Sequence, residues 1–195
     1  VGSEMCIRDS YLLNSNRQMD LLHKRFIVFE LDNISENRTL LPVVTIIIME
    51  TFLAKMRRLQ GVRKVLLLEE AWKAIAKEGM ASYVRYLFKT VRKYFGEAIV
   101  VTQEVEDIIS SPIVKESIIN NADCKILLDQ RKYRNKFDQI QTLLGLTDKE
   151  RAQVLSINLS NDPARRYKEV FISLGGVQSA VYATEVSDEE YLVRP

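Results

Sequence analysis

Short apolar runs alternate along this chain with longer segments of helical periodicity, and this alternation constrains the fold more than any other feature. The runs lie at residues 26–31, 65–68, 98–101 and 125–128, and each is followed by polar residues. Strands that alternate with helices favour an α/β fold with a mostly parallel sheet and right-handed crossovers. The run at 65–68 has charged residues on both sides, which predicts a strand buried on both faces.

Two long segments supply the helices between the first three strands. Residues 40–60 are apolar over most of their length, and Gly61 is expected to end that helix. From Glu78, apolar residues recur every three or four positions until Gly96, which is typical of an amphipathic helix. The opposite face of this second helix is basic and carries Arg85, Lys89 and Arg92.

The part of the chain after residue 110 has a different pattern. We expect a short helix over residues 114–120, a helix over 137–145 and a further helix that begins at Thr147. Residues 167–174 and 178–184 alternate in polarity on either side of a Gly-Gly pair, which predicts a β-hairpin. A last helix is expected from Ser187. The fold class is therefore α/β, with an antiparallel C-terminal addition.

Composition excludes several classes of function. None of the seven glycines is followed by Lys, so the sequence contains no Walker A loop, and their wide spacing excludes a Gly-x-Gly-x-x-Gly dinucleotide loop. Two widely separated cysteines and one histidine suggest neither a disulfide framework nor a zinc site. The net charge of +2 does not by itself imply a nucleic-acid-binding protein.

The most apolar stretch lies at residues 40–49 and is much shorter than the roughly 18 residues needed to span a bilayer. The sequence therefore predicts no membrane-spanning segment. Residues 1–10 join no periodic pattern and contain no apolar core of signal-peptide length. We interpret them as a leader or an assembly scar and exclude them from the fold.

Two carboxylates, Glu69 and Glu70, follow the apolar run that ends at Leu68. In parallel sheets, chemistry takes place at the carboxyl ends of the strands. An apolar strand followed by two acids is the Walker B pattern: the first acid holds Mg²⁺ through water, and the second polarises the water that attacks the γ-phosphate. The alternative is a pair of surface acids that open a helix at Ala71 and interact favourably with its dipole.

Gln103 follows the next apolar run, with Thr102 between them. A neutral amide at a strand end can accept a hydrogen bond from water and donate one to phosphate, which suits a sensor of γ-phosphate occupancy. An ordinary capping residue is the alternative. Arg92 ends the basic helix face just before the same strand. It can stabilise charge on a phosphoryl group held by a neighbouring subunit, or it can belong to a solvated surface.

Two further basic clusters are open to several interpretations: a subunit interface, contact with DNA phosphates, or a solvated surface. One is the run Arg131-Lys132-Tyr133-Arg134, and the other consists of Lys55, Arg57, Arg58, Arg63 and Lys64.

Five motifs, in order along the chain, resemble the TraG family of conjugative-transposon ATPases. They are LLLEEAWKAIA at 66–76, YLFKTVRK at 86–93, VVTQE at 100–104, SPIVKESIINN at 111–121 and LLDQ at 127–130. The resemblance extends from about residue 11 to residue 194. It implies a RecA-like P-loop ATPase domain, similar to the large cytoplasmic ATPase of type IV secretion systems and related to the HerA/FtsK motors.

The resemblance also implies cofactors, partners and a location. It implies ATP and Mg²⁺ as cofactors, self-association into a hexamer or dimeric units, and a cytoplasmic protein peripheral to the inner membrane. Other conjugation-channel proteins are implied partners, with DNA as a further candidate.

Carried over by position, the resemblance implies the Walker B metal role for Glu69, the catalytic carboxylate role for Glu70, the sensor role for Gln103 and the arginine-finger role for Arg92. Glu69 stands where the wider superfamily has Asp, so its carboxylate reaches one methylene further. The family's phosphate loop lies upstream of these motifs. We therefore expect residues 11–195 to be the C-terminal part of a P-loop ATPase domain, inactive by itself.

Three functions are consistent with these residues. The leading hypothesis is that the intact protein hydrolyses ATP to drive assembly of, or DNA or protein transfer through, the mating channel. The first alternative is a non-catalytic interaction subunit whose basic faces contact neighbouring subunits or DNA. The second alternative is a DNA-translocating motor of the same superfamily, whose binding to duplex DNA would depend on salt.

Overall fold

The computed structural model describes residues 21–37, 39–69, 78–103, 118–159, 167–185 and 187–189. The chain divides into two compact units, Val1–Ser117 and Ile118–Pro195, and each is considered by itself. In the first unit, helix α1 spans Leu40–Arg58 and helix α2 spans Glu78–Thr90, while strands β1 and β2 span Lys64–Glu69 and Gly96–Val101.

Helix α1 begins and ends where the sequence provides suitable residues. The Asn37 side chain accepts hydrogen bonds from the backbone N–H groups of Thr39 and Leu40, at 3.0 and 2.9 Å, and so caps the first turn. Gly61 has a φ of +71°, a left-handed conformation that suits glycine after a helix. The helix predicted over residues 40–60 is thus confirmed, and it ends two residues earlier than expected.

Helix α2 buries one side of its last turns and continues into a 3-10 helix at Val91–Tyr94. The buried side chains are those of Val84, Leu87, Phe88 and Val91. Arg85, Lys89 and Arg92 are exposed, as the amphipathic pattern predicts. The same pattern placed the end of the helix near Gly96, and that residue begins β2.

Strands β1 and β2 pair in parallel, in a register that aligns Lys64 with Gly96 and Glu69 with Val101. This confirms two of the predicted strands and their parallel orientation. The prediction that β1 is buried on both faces is wrong, because alternate residues point to solvent and Leu67 is 56% exposed. In the described part of the chain, β1 and β2 form a two-stranded sheet, and β1 is more buried on the face that carries Lys64 and Leu66.

Residues 26–31 form no strand in the structure, contrary to the expectation. Phe26 is 86% exposed, and no strand of the described residues pairs with this segment. A β-strand is stable only when its backbone N–H and C=O groups are paired with a neighbour, so high β-propensity is insufficient here.

The second unit contains β3 at Cys124–Leu127, β4 at Tyr167–Leu174 and β5 at Gln178–Glu185, in an antiparallel sheet of order β3-β4-β5. The predicted hairpin is confirmed, and Gly175 and Gly176 both have positive φ in its turn. The strand predicted at 125–128 is present but does not extend the parallel sheet. It pairs antiparallel with β4, where Ile126 lies opposite Ile172.

Helix α3 spans Phe137–Leu144, and helix α4 spans Asp148–Ser156. Gly145 ends α3 in a left-handed conformation, and Thr147 caps α4 as predicted. The buried apolar residues of this unit are Ile118, Phe137, Ile140, Leu143, Leu146, Val154, Ile157 and Phe171.

Three expectations fall partly or wholly outside the described residues. These are residues 1–10, most of the helix predicted at 114–120, and the last helix after its first residues, Asp188 and Glu189. No helix in the described ranges is both long and apolar enough to cross a membrane.

Candidate active site

The carboxyl ends of β1 and β2 bring two of the predicted site residues to one edge of the parallel sheet. Glu69 is the last residue of β1 and is aligned with Val101, the last residue of β2. Thr102 and Gln103 follow directly. Neighbouring strands are about 4.8 Å apart, so the Glu69 backbone lies one strand spacing from β2 and close to the start of the segment that carries Gln103.

The side chains of Glu69 and Gln103 are both exposed at this edge. Their polar groups are therefore accessible to a ligand from solvent. Glu70, the second predicted carboxylate, lies outside the described residues, although it directly follows Glu69 in the sequence.

Arg92 lies at the opposite end of the same sheet. It belongs to the 3-10 helix at Val91–Tyr94, which leads into the first residue of β2. The six residues of β2 lie between it and Gln103, and at about 3.3 Å per residue the strand alone separates them by about 17 Å. The structure therefore does not bring Arg92 together with Glu69 and Gln103 in one copy of the chain.

The site's donor atoms fit a hard cation better than a soft one. Within the ranges that the structure describes, no group of three or more His, Cys, Asp or Glu side chains could hold a metal by itself. Mg²⁺ needs no such cage, because it keeps several waters and is usually held by one or two carboxylates together with substrate phosphates. A single exposed carboxylate at Glu69 fits that pattern.

The basic patch around the start of β1 is largely engaged within the chain. Lys55 donates a hydrogen bond to the Lys24 carbonyl, Arg57 contacts the Tyr86 hydroxyl at 3.5 Å, and Arg63 forms an ion pair with Glu97. Lys64 is buried, and its Nζ donates to the Tyr94 carbonyl at 3.0 Å.

Sequence reasoning placed Lys64 in a surface patch and so missed this contact. Its partner lies 30 residues away along the chain, and nothing in the local pattern identifies that partner. The only available signal was that a lysine directly precedes a strand predicted to be buried.

The second basic cluster is also partly paired. Arg131 holds Asp129 through two contacts from its Nε, at 2.8 and 3.0 Å, and this hydrogen-bonded pair lowers the pKa of Asp129. The Lys132 ammonium lies 4.6 Å from the centre of the Tyr133 ring. The cluster therefore has fewer solvated charges than its sequence indicates.

The second unit has an open cavity of about 370 Å³ along helix α4. Its lining includes Arg134, Arg151, Leu155 and Leu159. Arg151 already forms an ion pair with Asp138. None of the predicted site residues lines this cavity, so the sequence motifs do not explain it.

Glu150 is the most deeply buried carboxylate that the structure describes, at 4% exposure. It accepts a hydrogen bond from the Ser173 hydroxyl at 2.8 Å and forms a capping box with Thr147. Burial alone would raise the pKa of Glu150, but hydrogen bonds from Thr147 and Ser173 outweigh it and the pKa is lowered. These contacts join α4 to β4, which indicates a structural role.

Comparison with known proteins adds the family and the fold. The family model described as the TraG P-loop domain matches residues 7–194. No curated protein matches the chain.

Among solved structures, the chain is similar to "Structure of VirB4 of Thermoanaerobacter pseudethanolicus", with 23% identity and a TM-score of 0.60. The match covers 85% of this chain but only 43% of that one. At this identity the likeness concerns the fold, which is a partial RecA-like P-loop fold. Since the family model covers nearly the whole sequence, this chain belongs to the TraG P-loop domain family.

Proposed function

We propose that the intact protein containing this chain hydrolyses ATP to drive assembly of, or DNA or protein transfer through, a conjugation channel of the type IV secretion class. One observation carries the proposal. In a member of the TraG P-loop domain family, the carboxylate of Glu69 ends one of two neighbouring parallel strands, and the amide of Gln103 follows the other at the same edge. This is the edge of an α/β sheet at which ligands bind.

Each residue has a defined task in this proposal. Glu69 would hold Mg²⁺ through water, and bound Mg²⁺ neutralises charge on the phosphate oxygens. Glu70 would accept a proton from the attacking water as general base. The Gln103 amide would hydrogen-bond to the γ-phosphate or to that water and so report whether the γ-phosphate is present.

Arg92 would act on the nucleotide of a neighbouring copy. Its position at the far end of β2 from Gln103 supports an action between subunits, because the strand is too long for both to meet one phosphate. Self-association into a hexamer or dimeric units is therefore part of the proposal. So are a cytoplasmic location at the inner membrane and contacts with other channel proteins.

The proposal is tested on the intact protein, including a phosphate-binding loop, by steady-state ATP hydrolysis. We expect Glu70→Gln to lower kcat by about 10²- to 10⁴-fold, the usual contribution of a general base. Glu36→Gln is a matched control, because Glu36 is an exposed carboxylate in the turn before α1. If Glu70→Gln turns over ATP like the unmutated protein, the catalytic assignment fails.

Two other outcomes would favour the alternatives. ATP turnover that depends on duplex DNA, together with salt-dependent DNA binding, would indicate a DNA-translocating motor. An intact protein that assembles with channel proteins but neither binds nor hydrolyses ATP would indicate a non-catalytic interaction subunit.

A further inference from the structure

The segment that carries Arg92 is a tight corner between α2 and β2. We call residues 91–96 the Arg92 corner. It consists of the 3-10 helix at Val91–Tyr94, then Phe95 with a φ of +56°, then the buried Gly96. A non-glycine residue with this φ is uncommon, and such residues persist only where the surroundings hold them.

Gly96 is needed at this corner because there is no room for a side chain. A Cβ atom there would lie 2.8 Å from Val91 Cγ2 and 3.2 Å from the Val91 carbonyl oxygen. Phe95 is nevertheless 60% exposed, so burial of its ring does not fix its conformation. Contacts of the backbone must therefore hold the corner.

Within the corner the Phe95 N–H donates to the Arg92 carbonyl at 3.2 Å, and Lys64, the first residue of β1, supplies two further contacts. Its side-chain Nζ donates to the Tyr94 carbonyl at 3.0 Å, and its backbone N–H donates to the Phe95 carbonyl at 3.2 Å. Lys64 is only 8% exposed, so the ammonium group is largely removed from water. A charged donor in such a place makes a stronger hydrogen bond than a neutral one, and its loss leaves a polar group without a partner.

We propose that Lys64 is a positioning residue for Arg92. By holding the carbonyl groups of Tyr94 and Phe95, it fixes the end of the short helix two residues after Arg92 and keeps Phe95 in its left-handed conformation. This inference rests on the proposed function, because it assumes that Arg92 acts on the nucleotide of a neighbouring copy. A displacement of a catalytic group by about 1 Å can cost about 100-fold in rate.

The first test is ATP hydrolysis by the intact protein carrying Lys64→Met. Methionine keeps an unbranched apolar stem but lacks the donor. We expect kcat to fall by about 10- to 100-fold, with little change in KM for ATP or in nucleotide affinity, because the nucleotide site of the same subunit is intact. Lys55→Met is the matched control, because Lys55 also donates its Nζ to a main-chain carbonyl, that of Lys24. It should retain the unmutated kcat.

A mixing experiment distinguishes positioning from general damage. Glu70→Gln has a defective nucleotide site and an intact Arg92 corner, whereas Lys64→Met has the reverse. Oligomers that contain both variants should recover turnover, because the Arg92 of a Glu70→Gln subunit can serve the site of a Lys64→Met neighbour. The double variant Lys64→Met/Arg92→Ala should be no slower than Arg92→Ala alone.

Several results would overturn the inference. They are an unmutated kcat for Lys64→Met, no recovery on mixing when Arg92→Ala does recover, or a further loss in the double variant. If Lys64→Met does not yield folded protein, Lys64→Gln takes its place in the same mixtures, since its shorter amide keeps a neutral donor. If Glu70→Gln itself keeps full turnover, the proposed function fails. If Glu70→Gln and Arg92→Ala lose turnover but Lys64→Met does not, only the role of Lys64 fails.

Discussion

The parallel pair β1–β2 and the antiparallel sheet β3-β4-β5 differ in how they are held together. The two parallel strands are joined by a long connection that includes α2, and one face of β1 is left exposed at Val65 and Leu67. Strands β4 and β5 are joined by a three-residue turn. Contacts that are close in sequence therefore specify the β4–β5 hairpin, whereas the pairings of β1 with β2 and of β3 with β4 join residues that are distant in sequence.

The two regions also differ in the contacts of their polar side chains. In the second unit they bind one another: Glu150 binds Thr147 and Ser173, and Asn158 and Glu169 exchange hydrogen bonds of 2.7 and 3.0 Å. At the carboxyl end of the parallel pair, the side chains of Glu69 and Gln103 are exposed. The second unit therefore buries polar side chains in contacts between its elements, whereas the two polar side chains at this edge of the parallel sheet are accessible from solvent.

The largest expected effect is in the core of the second unit. Phe171 is fully buried in β4, so Phe171→Ala should lower the free energy of unfolding by about 3–5 kcal/mol. Urea unfolding of the purified chain measures the loss, and native-state hydrogen exchange shows in which unit it occurs. Tyr182→Ala, at a more exposed aromatic residue of β5, is the control and should cost much less. A loss of protection confined to the first unit would contradict the placement of Phe171 in the core of the second unit.

The sequence predicted the hairpin and the helix starts of the second unit well, because their signals are local. The hairpin follows from alternation around Gly175-Gly176, and the start of α4 follows from Thr147 and Glu150, whose capping box is present in the structure. Strand pairing is not local. The run at 125–128 has the composition of a parallel strand, but its neighbour β4 is more than 40 residues further along the chain.

The sequence likewise predicts only part of the candidate site. The strand-end rule predicts that Glu69 and Gln103 share an edge, because it needs only the order and direction of β1 and β2. It cannot predict Lys64, whose role depends on a turn of the backbone at Tyr94 and Phe95 that no residue pattern specifies. The strand predicted at residues 26–31 is absent because β-propensity does not identify a pairing partner.

The second prediction concerns the Arg92 corner. Gly96→Ala should cost about 1–3 kcal/mol, because the new methyl group must displace Val91, whose side chain and carbonyl are both too close. Urea unfolding with hydrogen exchange of the first unit measures this. Gly145→Ala is an informative comparison, because a Cβ there meets no atom within 4 Å and the strain comes from φ alone. An unchanged stability for Gly96→Ala would mean that the corner is looser than its geometry indicates.

The third prediction concerns Glu150. Glu150→Gln should cost about 1–2 kcal/mol at neutral pH, because the amide replaces a charged acceptor of hydrogen bonds from Thr147 and Ser173. Ser173→Ala removes one of these donors and should cost less than Glu150→Gln. Equal losses for the two variants would show that the capping box contributes nothing beyond the bond to Ser173.

The pH dependence follows from the lowered pKa of Glu150. Since the folded protein holds the charged form more strongly than the unfolded chain does, Glu150 contributes stability at pH values above the ordinary glutamate pKa of about 4.3. That contribution is lost as the pH falls from there through the lowered folded pKa. Between pH 6 and pH 3 the unmutated chain should therefore lose more stability than Glu150→Gln. Parallel pH curves for the two proteins would contradict this.

The smallest effect is expected on the exposed face of β1. Leu67 is 56% exposed, so Leu67→Thr removes little buried apolar area and introduces a residue that favours strands. The free energy of unfolding of this chain should change by less than about 0.5 kcal/mol. Leu66→Thr, on the more buried face of the same strand, should cost more, and urea unfolding compares the two. If Leu67→Thr is the more damaging variant, the face of β1 that carries Leu67 is covered in solution, and the parallel pair is not open on that side.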